Sequence, residues 1–312
     1  MKAKFSGHDT FPLRYGWLFK ATKHLSMGGS FQTSNEDKTR EAIVELGVGK
    51  NMVNAIRYWA ESSSIFDTSV KANIVTHSVS EEAKLIFGDN TNEGLDPYLE
   101  NAASIWLIHF WLNFNIESLT AYRYFFNYSN VQYFEKATFL DICITDTQQL
   151  TSSESPNDKT IKKDIDCFLN TYSKKAVKAG ASAKTNEDSF ASPLVELGLI
   201  QELGGGYFSS PLDLRADLPI NIFIYSVLRF SEMELAHSGA SSMDFDTLLT
   251  KPYSPGRIFR LSEKGLGQKL DEAQRRTNGD ISWVDSLGLR QVQVKSALQG
   301  QATTFIEEHY RA

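Results

Sequence analysis

The segment DKTREAIVELGVGKNMVNAIRYWAES, residues 37–62, constrains the fold more than any other stretch of the chain. Two helical patterns meet at Gly47-Val48-Gly49. Glycine takes the left-handed conformation that stops a helix without a Cβ clash, so the first helix is expected to end at Gly47 and the second to start near Lys50. Ile43, Leu46, Val48, Val53 and Ile56 recur at helical spacing and can pack between the two helices. Lys50, Asn51, Asn54 and Arg57 then share the opposite, exposed face. This is the pattern of a helix-turn-helix whose second helix carries DNA-reading side chains. Arginine can fork to a guanine edge, asparagine can bond an adenine edge twice, and a lysine near the helix start can hold phosphate. A positive charge at a helix N-terminus opposes the dipole, so Lys50 is locally unfavourable unless an anion compensates it. A plain helical hairpin with a polar outer face has the same spacing, and the motif alone does not separate docking on DNA from docking on protein.

Ahead of this motif stands FSGHDTFPLRYGWL, residues 5–18, with His8, Asp9, Thr10, Arg14 and Tyr15 crowded around a Pro12 turn. A carboxylate beside an imidazole can bind a metal or shuttle protons, and arginine and tyrosine can hold phosphate. His8, Asp9, Arg14 and Tyr15 are therefore the candidate catalytic residues. Arg14 would neutralise a scissile phosphate, and His8 or Asp9 would orient a metal or take a proton from water. Tyr15 would in one route attack the phosphorus itself. In the plainer alternative, His8 and Asp9 cap a helix from Leu13 to His24, and Tyr15 and Trp17 belong to the core.

The rest of the chain separates into blocks. Residues 1–92 alternate helices and short turns and are expected to form the helix-turn-helix domain. Residues 93–150 are helical and aromatic, with Leu107, Phe110, Trp111 and Phe114 on one apolar helix face and Asp96-Pro97 placed as a helix start. TSSESPNDKT, residues 151–160, reads as a linker. Residues 161–312 open with a helix that turns Ile161, Ile165, Phe168 and Leu169 inward. A short helix ending at Gly198 follows, with two strands joined through Gly204-Gly205-Gly206, the outline of a winged helix. RIFRLSEKGLGQKLDEAQ then reads as a strand running into a helix capped by Ser262. Val-Glu-Leu-Gly ends a helix at 44–47 and again at 195–198, a partial internal echo. The expected fold class is mainly α with small β-hairpin wings: an N-terminal helix-turn-helix or winged-helix domain, a central helical block and a C-terminal winged-helix-like domain.

At 312 residues the chain can bury two or three cores. Its most apolar run, Ala102 to Phe114, is about a dozen residues and falls short of the roughly 20 that span a bilayer. The N-terminus has no secretory pattern, because Asp9 and Arg14 break any apolar run. Cys143 and Cys167 are too few for a disulfide framework and are expected to be reduced core residues of a cytoplasmic protein. The net charge of −6 argues against nucleic acid, but its distribution argues for it. Residues 1–60 hold nine Lys/Arg against five Asp/Glu, and residues 159–184 hold seven Lys against two Asp, while residues 80–117 hold seven acids against Lys84 alone. Such a chain can touch phosphate at chosen places and repel it elsewhere; an unevenly charged solvated surface is the plainer account.

Familiar nuclease motifs are missing. The one loose match to a carboxylate metal-nuclease pattern, Asp67 with Glu82-Ala83-Lys84, falls in SEEAKLIF, which reads as a helix. There is no phosphate-binding Gly-x-x-x-x-Gly-Lys loop, and neither the six histidines nor the two cysteines show zinc spacing.

Taken together, FSGHDTFPLRYGWL at 5–18, AIVELGVGKNMVNAIRYWA at 42–60 and LDPYLENAASIWLIHFWL at 95–112 resemble the bacterial family of domains of unknown function numbered 4007. DIDCFLNTY at 164–172, PLVELGLI at 193–200 and SPGRIFRLSE at 254–263 extend the resemblance over nearly the whole chain. The family is similar to the DNA-nicking component of single-strand phosphorothioate modification systems in bacterial defence loci. The resemblance thus implies a DNA-binding nickase that works beside an ATPase, a sulfur-activating enzyme and a cysteine desulfurase. It assigns no catalytic residue. A divalent metal such as magnesium is the cofactor that a hydrolytic route would use, and a homodimer is one assembly the reading admits. The competing function is a helix-turn-helix regulator or targeting subunit of a defence locus, without chemistry of its own.

Overall fold

The computed structural model describes residues 1–32, 35–72, 74–152, 156–174, 192–235, 242–286 and 289–311. Helices dominate, and the strands form small sheets of two to four members. By packing, the chain divides into two compact units, residues 1–124 with 131–210 and residues 125–130 with 211–312. These units follow packing rather than linear pattern and are not coextensive with the blocks drawn from sequence.

The first unit opens with β1 (Lys2–Ala3) and α1 (Trp17–Ser26), followed by α2 (Glu36–Leu46) and α3 (Lys50–Ser62). An antiparallel hairpin comes next, β2 (Phe66–Lys71) with β3 (Ile74–Val79), and then α4 (Glu81–Phe87). Phe66 and Val79, paired across the base of the hairpin, are buried, while Val70, Ile74 and Val75 near its tip are exposed. The helix α5 (Ala102–Asn113) is buried on every side from Ala103 to Asn113, so its sequence shows no strong amphipathic stripe. Its polar residues are paired accordingly: Tyr172 Oη lies 2.9 Å from His109 Nδ1, and Asn113 Nδ2 donates to the His109 carbonyl at 2.8 Å. This helix does not start at Asp96-Pro97. The Asp96 carboxylate accepts from the amides of Glu100 and Asn101 and from the Ser104 hydroxyl, and Leu99 is left-handed at φ 60°. That conformation breaks the helix, which begins five residues after Pro97 with Asn101 as its cap.

Continuing, β4 (Ser118–Leu119) pairs in parallel with β1 and leads into α6 (Ala121–Asn127), whose last three residues belong to the second unit. The elements β5 (Tyr133–Glu135), α7 (Lys136–Leu150), α8 (Asp158–Tyr172) and β6 (Ser173–Lys174) complete this part. The linker read at 151–160 is therefore helical from Asp158, where Asn157 caps α8 by accepting from the Lys159 amide; residues 153–155 lie outside the described residues. Ile161, Ile165, Phe168 and Leu169 do face inward. A 3-10 turn, Pro193–Leu197, ends at Gly198 (φ 59°) and is followed by β7 (Ile200–Gly204) and β8 (Tyr207–Ser209), joined through the triple glycine. The expected hairpin is thus present, built into a four-stranded sheet of order β5-β8-β7-β6.

The second unit packs α9 (Ile220–Leu235) with α12 (Glu263–Arg276) and α13 (Ala302–Arg311). It also holds a three-stranded sheet of β9 (Ser242–Asp244), β10 (Ile281–Ser286) and β11 (Leu289–Val294), and the short helices α10 (Phe245–Thr250) and α11 (Pro255–Ile258). Residues 257–261 are not the expected strand. Ser254 caps a helical turn through Pro255 to Ile258, Arg260 is left-handed at φ 52°, and only Leu261 makes a bridge, to Asp213. Ser262 caps α12 as expected, accepting from the Gly265 amide at 3.1 Å. Among the described residues no helix is long and apolar enough to cross a membrane, and both cysteines are buried free thiols.

Candidate nucleic-acid interface

Local chemistry fixes the helix pair. Asn35 caps α2 by accepting from the amides of Asp37 and Lys38 at 3.0 and 3.1 Å. Gly47, at φ 65°, closes α2 through a hydrogen bond that its amide donates to the Ile43 carbonyl. Gly49 precedes α3 and offers no side-chain cap, so the first-turn amides of α3 are left for solvent or a ligand. Val53, Ile56 and Trp59 turn inward, while Lys50 and Asn51 are exposed. Asn54 and Arg57 lie further along and are half-buried, and each has an acidic partner. Asn54 Nδ2 donates to Asp9 Oδ2 at 3.1 Å, and Arg57 Nε sits 3.6 Å from Glu61 Oε1. Two groups of residues singled out separately from the sequence therefore meet, through Asp9 and Asn54.

The N-terminal turn is held tightly. The Thr10 amide donates to His8 Nδ1 at 3.0 Å, so His8 Nε2 carries the hydrogen and donates to Asp164 Oδ1 at 2.9 Å. The other oxygen of Asp164 accepts from the Ala121 amide at 2.6 Å. His8 is 3% exposed and packs edge-on against Tyr58. Asp9 and Thr10 are both left-handed, at φ 46° and 66°, which costs roughly 1–2 kcal/mol for each non-glycine residue. The Phe11 amide returns to the His8 carbonyl, and the Phe11 carbonyl accepts from Trp59 Nε1 at 3.0 Å and from the Cys167 thiol. Backbone strain is thus offset by buried hydrogen bonds to α3 and α8.

Beyond this turn, the Arg14 guanidinium lies over the rings of Phe11 and Trp17 at 5.7 and 5.5 Å. The helix α1 begins at Trp17, later than the Leu13 of the capping alternative, because Gly16 is left-handed at φ 75°. Tyr15 is 39% exposed and its hydroxyl donates to Glu196 Oε1 at 2.5 Å. Partial burial, then the hydrogen bond to Glu196 and its charge, push the Tyr15 hydroxyl well up from its ordinary pKa. So His8 is enclosed, Asp9 and Tyr15 are open to solvent, and Arg14 is half-buried.

Sequence reading missed Asp164, Glu196 and Glu61. Asp164 and Glu196 stand inside motifs already quoted, but no local spacing ties them to a turn more than 150 residues earlier. Glu61 accepts from Lys4 at 3.3 Å and faces His77 Nε2 at 3.0 Å, besides its pair with Arg57. Burial works to raise its pKa, but the bond to His77 and the charges of Lys4 and Arg57 outweigh it and hold the carboxyl below its usual range. Among the described residues no three His, Cys, Asp or Glu converge as a metal-holding group. Asp9 and Glu196 are the exposed carboxylates at these residues, with no third donor beside them among the described residues, and two carboxylates do not make a self-contained metal cage.

This geometry defines a mainly helical protein in which α2 and α3, joined through Gly47 to Gly49, are braced by an N-terminal turn. The chain belongs to the family described as protein of unknown function (DUF4007), whose model matches residues 5–310. Among solved structures it is similar to a magnesium ion-bound SspB crystal structure, at TM-score 0.79 and 26% identity over 98% of this chain and 87% of that one. A second SspB crystal structure matches at TM-score 0.78 and 28% identity, with the same coverage of both chains. Among curated proteins, none matches this chain.

Proposed function

We propose that this protein is the DNA-binding, strand-nicking component of a DNA phosphorothioate modification and defence system. The observation that carries the proposal is the Asp9–Asn54 hydrogen bond, which joins the chemically able N-terminal turn to the open face of α3. Lys50, Asn51 and the uncapped first turn of α3 would take the DNA backbone, since helix N-terminal amides and a lysine together favour phosphate. Asn54 and Arg57 would reach base edges only by exchanging their present carboxylate partners for DNA. The hairpin β2–β3 after α3 would act as the wing. Arg14 would neutralise the phosphate to be cut, with Asp9 and Tyr15 as the open groups beside it. His8 is a positioning residue in this scheme, because both ring nitrogens are engaged in holding the turn.

The similarity to SspB supports the phosphorothioation setting, in which partners would be an ATPase, a sulfur-activating enzyme and a cysteine desulfurase in the cytoplasm. The magnesium-bound form of that neighbour makes magnesium the metal to test. The direct experiment incubates the purified full-length chain with supercoiled plasmid, with and without magnesium. Conversion to open circles is the expected result. Binding without conversion under either condition would leave a targeting subunit and reject the nickase.

A further inference from the structure

We infer that Tyr15 and Glu196 form a nucleophile–base pair that cuts a DNA strand by forming a tyrosyl–phosphate bond. The inference rests on the strand-nicking reading above and names the chemistry of that site. Its basis is a juxtaposition of two exposed side chains from distant parts of the sequence. Glu196 projects from the 3-10 turn Pro193–Leu197, whose Pro193, Leu194 and Leu197 are buried. Ser192 caps this turn at one end and left-handed Gly198 closes it at the other, so the carboxylate stands on a rigid base. Tyr15 is fixed between the Arg14 carbonyl, which accepts from the Trp17 amide, and left-handed Gly16. Between them the hydroxyl donates to Glu196 Oε1 at 2.5 Å, a short hydrogen bond of a hydroxyl to a carboxylate, and such direct contact is what a nucleophile and its base need.

A tie between two loops would use the same bond, but it would not require both side chains to be open to solvent. Arg14 is the neighbour of Tyr15 in sequence, and its guanidinium is held on the Phe11 and Trp17 rings. The hydroxyl is pushed up in pKa by partial burial and by Glu196, so it is protonated at neutral pH and must lose its proton as it attacks. Glu196 already accepts that hydrogen.

The step balances as follows. Tyr15 Oη attacks the phosphorus of a DNA phosphodiester, and its proton passes to Glu196. The Oη–P bond forms as the bond from phosphorus to one bridging oxygen breaks. The departing sugar oxygen takes a proton from water, and Arg14 offsets the charge that develops on the phosphoryl oxygens. A phosphodiester is conserved in the adduct, so the freed hydroxyl can attack it and reseal the strand. The nick is then transient and protein-linked, a form in which an opened strand stays in register.

The test uses the full-length chain and a fluorescently end-labelled DNA duplex with a short strand that dissociates once cut, which prevents resealing. After quenching in sodium dodecyl sulfate, the labelled strand should migrate as a protein-linked band that collapses on protease treatment. Tyr15→Phe should remove this band. Glu196→Gln keeps an acceptor for the tyrosine but not a base; it should slow adduct formation about 100-fold or more and flatten its dependence on pH. Circular dichroism of both variants should match the parent. Cutting that leaves only free ends, or cutting by Tyr15→Phe at the parental rate, overturns the inference and leaves the nickase reading standing. Absence of any cutting, on this duplex and on supercoiled plasmid alike, overturns both.

Discussion

Asp164 has both carboxylate oxygens committed, one to His8 and one to the Ala121 amide, on the buried and mostly apolar face of α8. Asp164→Ala would strand two buried donors, and a buried donor without a partner costs about 1–3 kcal/mol. Urea unfolding should therefore show a loss of about 2–4 kcal/mol, and a loss below about 0.5 kcal/mol would mean that the turn is not held this way. Glu61 makes a second prediction at this scale. Its folded pKa lies below the usual 4.5, so its pairing stabilises the protein above that pH and is lost as pH falls through the folded value. Glu61→Gln should lower stability at pH 7 by about 1 kcal/mol and make the acid-induced loss below pH 4.5 shallower. The reverse sign, a variant that gains stability at pH 7, would contradict the pairing. Residue types were legible in the sequence: His8, Asp9, Arg14 and Tyr15 do stand around one turn. Their partners were not, because Asp164 and Glu196 reach the turn through tertiary packing, which leaves no trace in local spacing.

Helix boundaries obeyed local chemistry where the chemistry was local. Gly47 stops α2, and Lys50 starts α3, because a left-handed glycine and a glycine cap act within two or three residues of themselves. Gly47→Ala should cost about 1 kcal/mol in thermal or urea unfolding, from backbone strain alone, since a Cβ there would meet nothing within 4 Å. Gly94→Ala should cost clearly more, because its Cβ would lie 2.2 Å from the Ile86 carbonyl oxygen, and neither backbone can yield cheaply. Equal losses for the two variants would contradict this distinction. The Asp96-Pro97 and 257–261 assignments went astray for a shared reason. In each, a non-glycine residue, Leu99 or Arg260, adopts a left-handed conformation that its type does not advertise. Arg260 lies over the Phe125 ring at 5.0 Å, and Asp96 satisfies the amides that follow Leu99; both arrangements depend on residues outside the local pattern.

On the scale of the whole chain, a net charge of −6 repels polyanions, so the DNA contact of the proposed function would need a local basic surface. Residues 175–184 of the second basic region lie outside the described residues, and Lys50 at the start of α3 is an exposed cation of the first. Under the proposed function the start of α3 meets the DNA backbone, and the salt dependence of duplex affinity reads that contact. Binding of labelled duplex, measured by fluorescence anisotropy from low to moderate salt, should weaken with a log–log slope near −0.9 for each phosphate neutralised. Lys50→Ala should make that slope shallower by about 1, while Arg57→Ala, whose guanidinium is paired with Glu61, should change it less. A parental slope near zero, or a Lys50→Ala protein with the parental slope and affinity, would contradict the account.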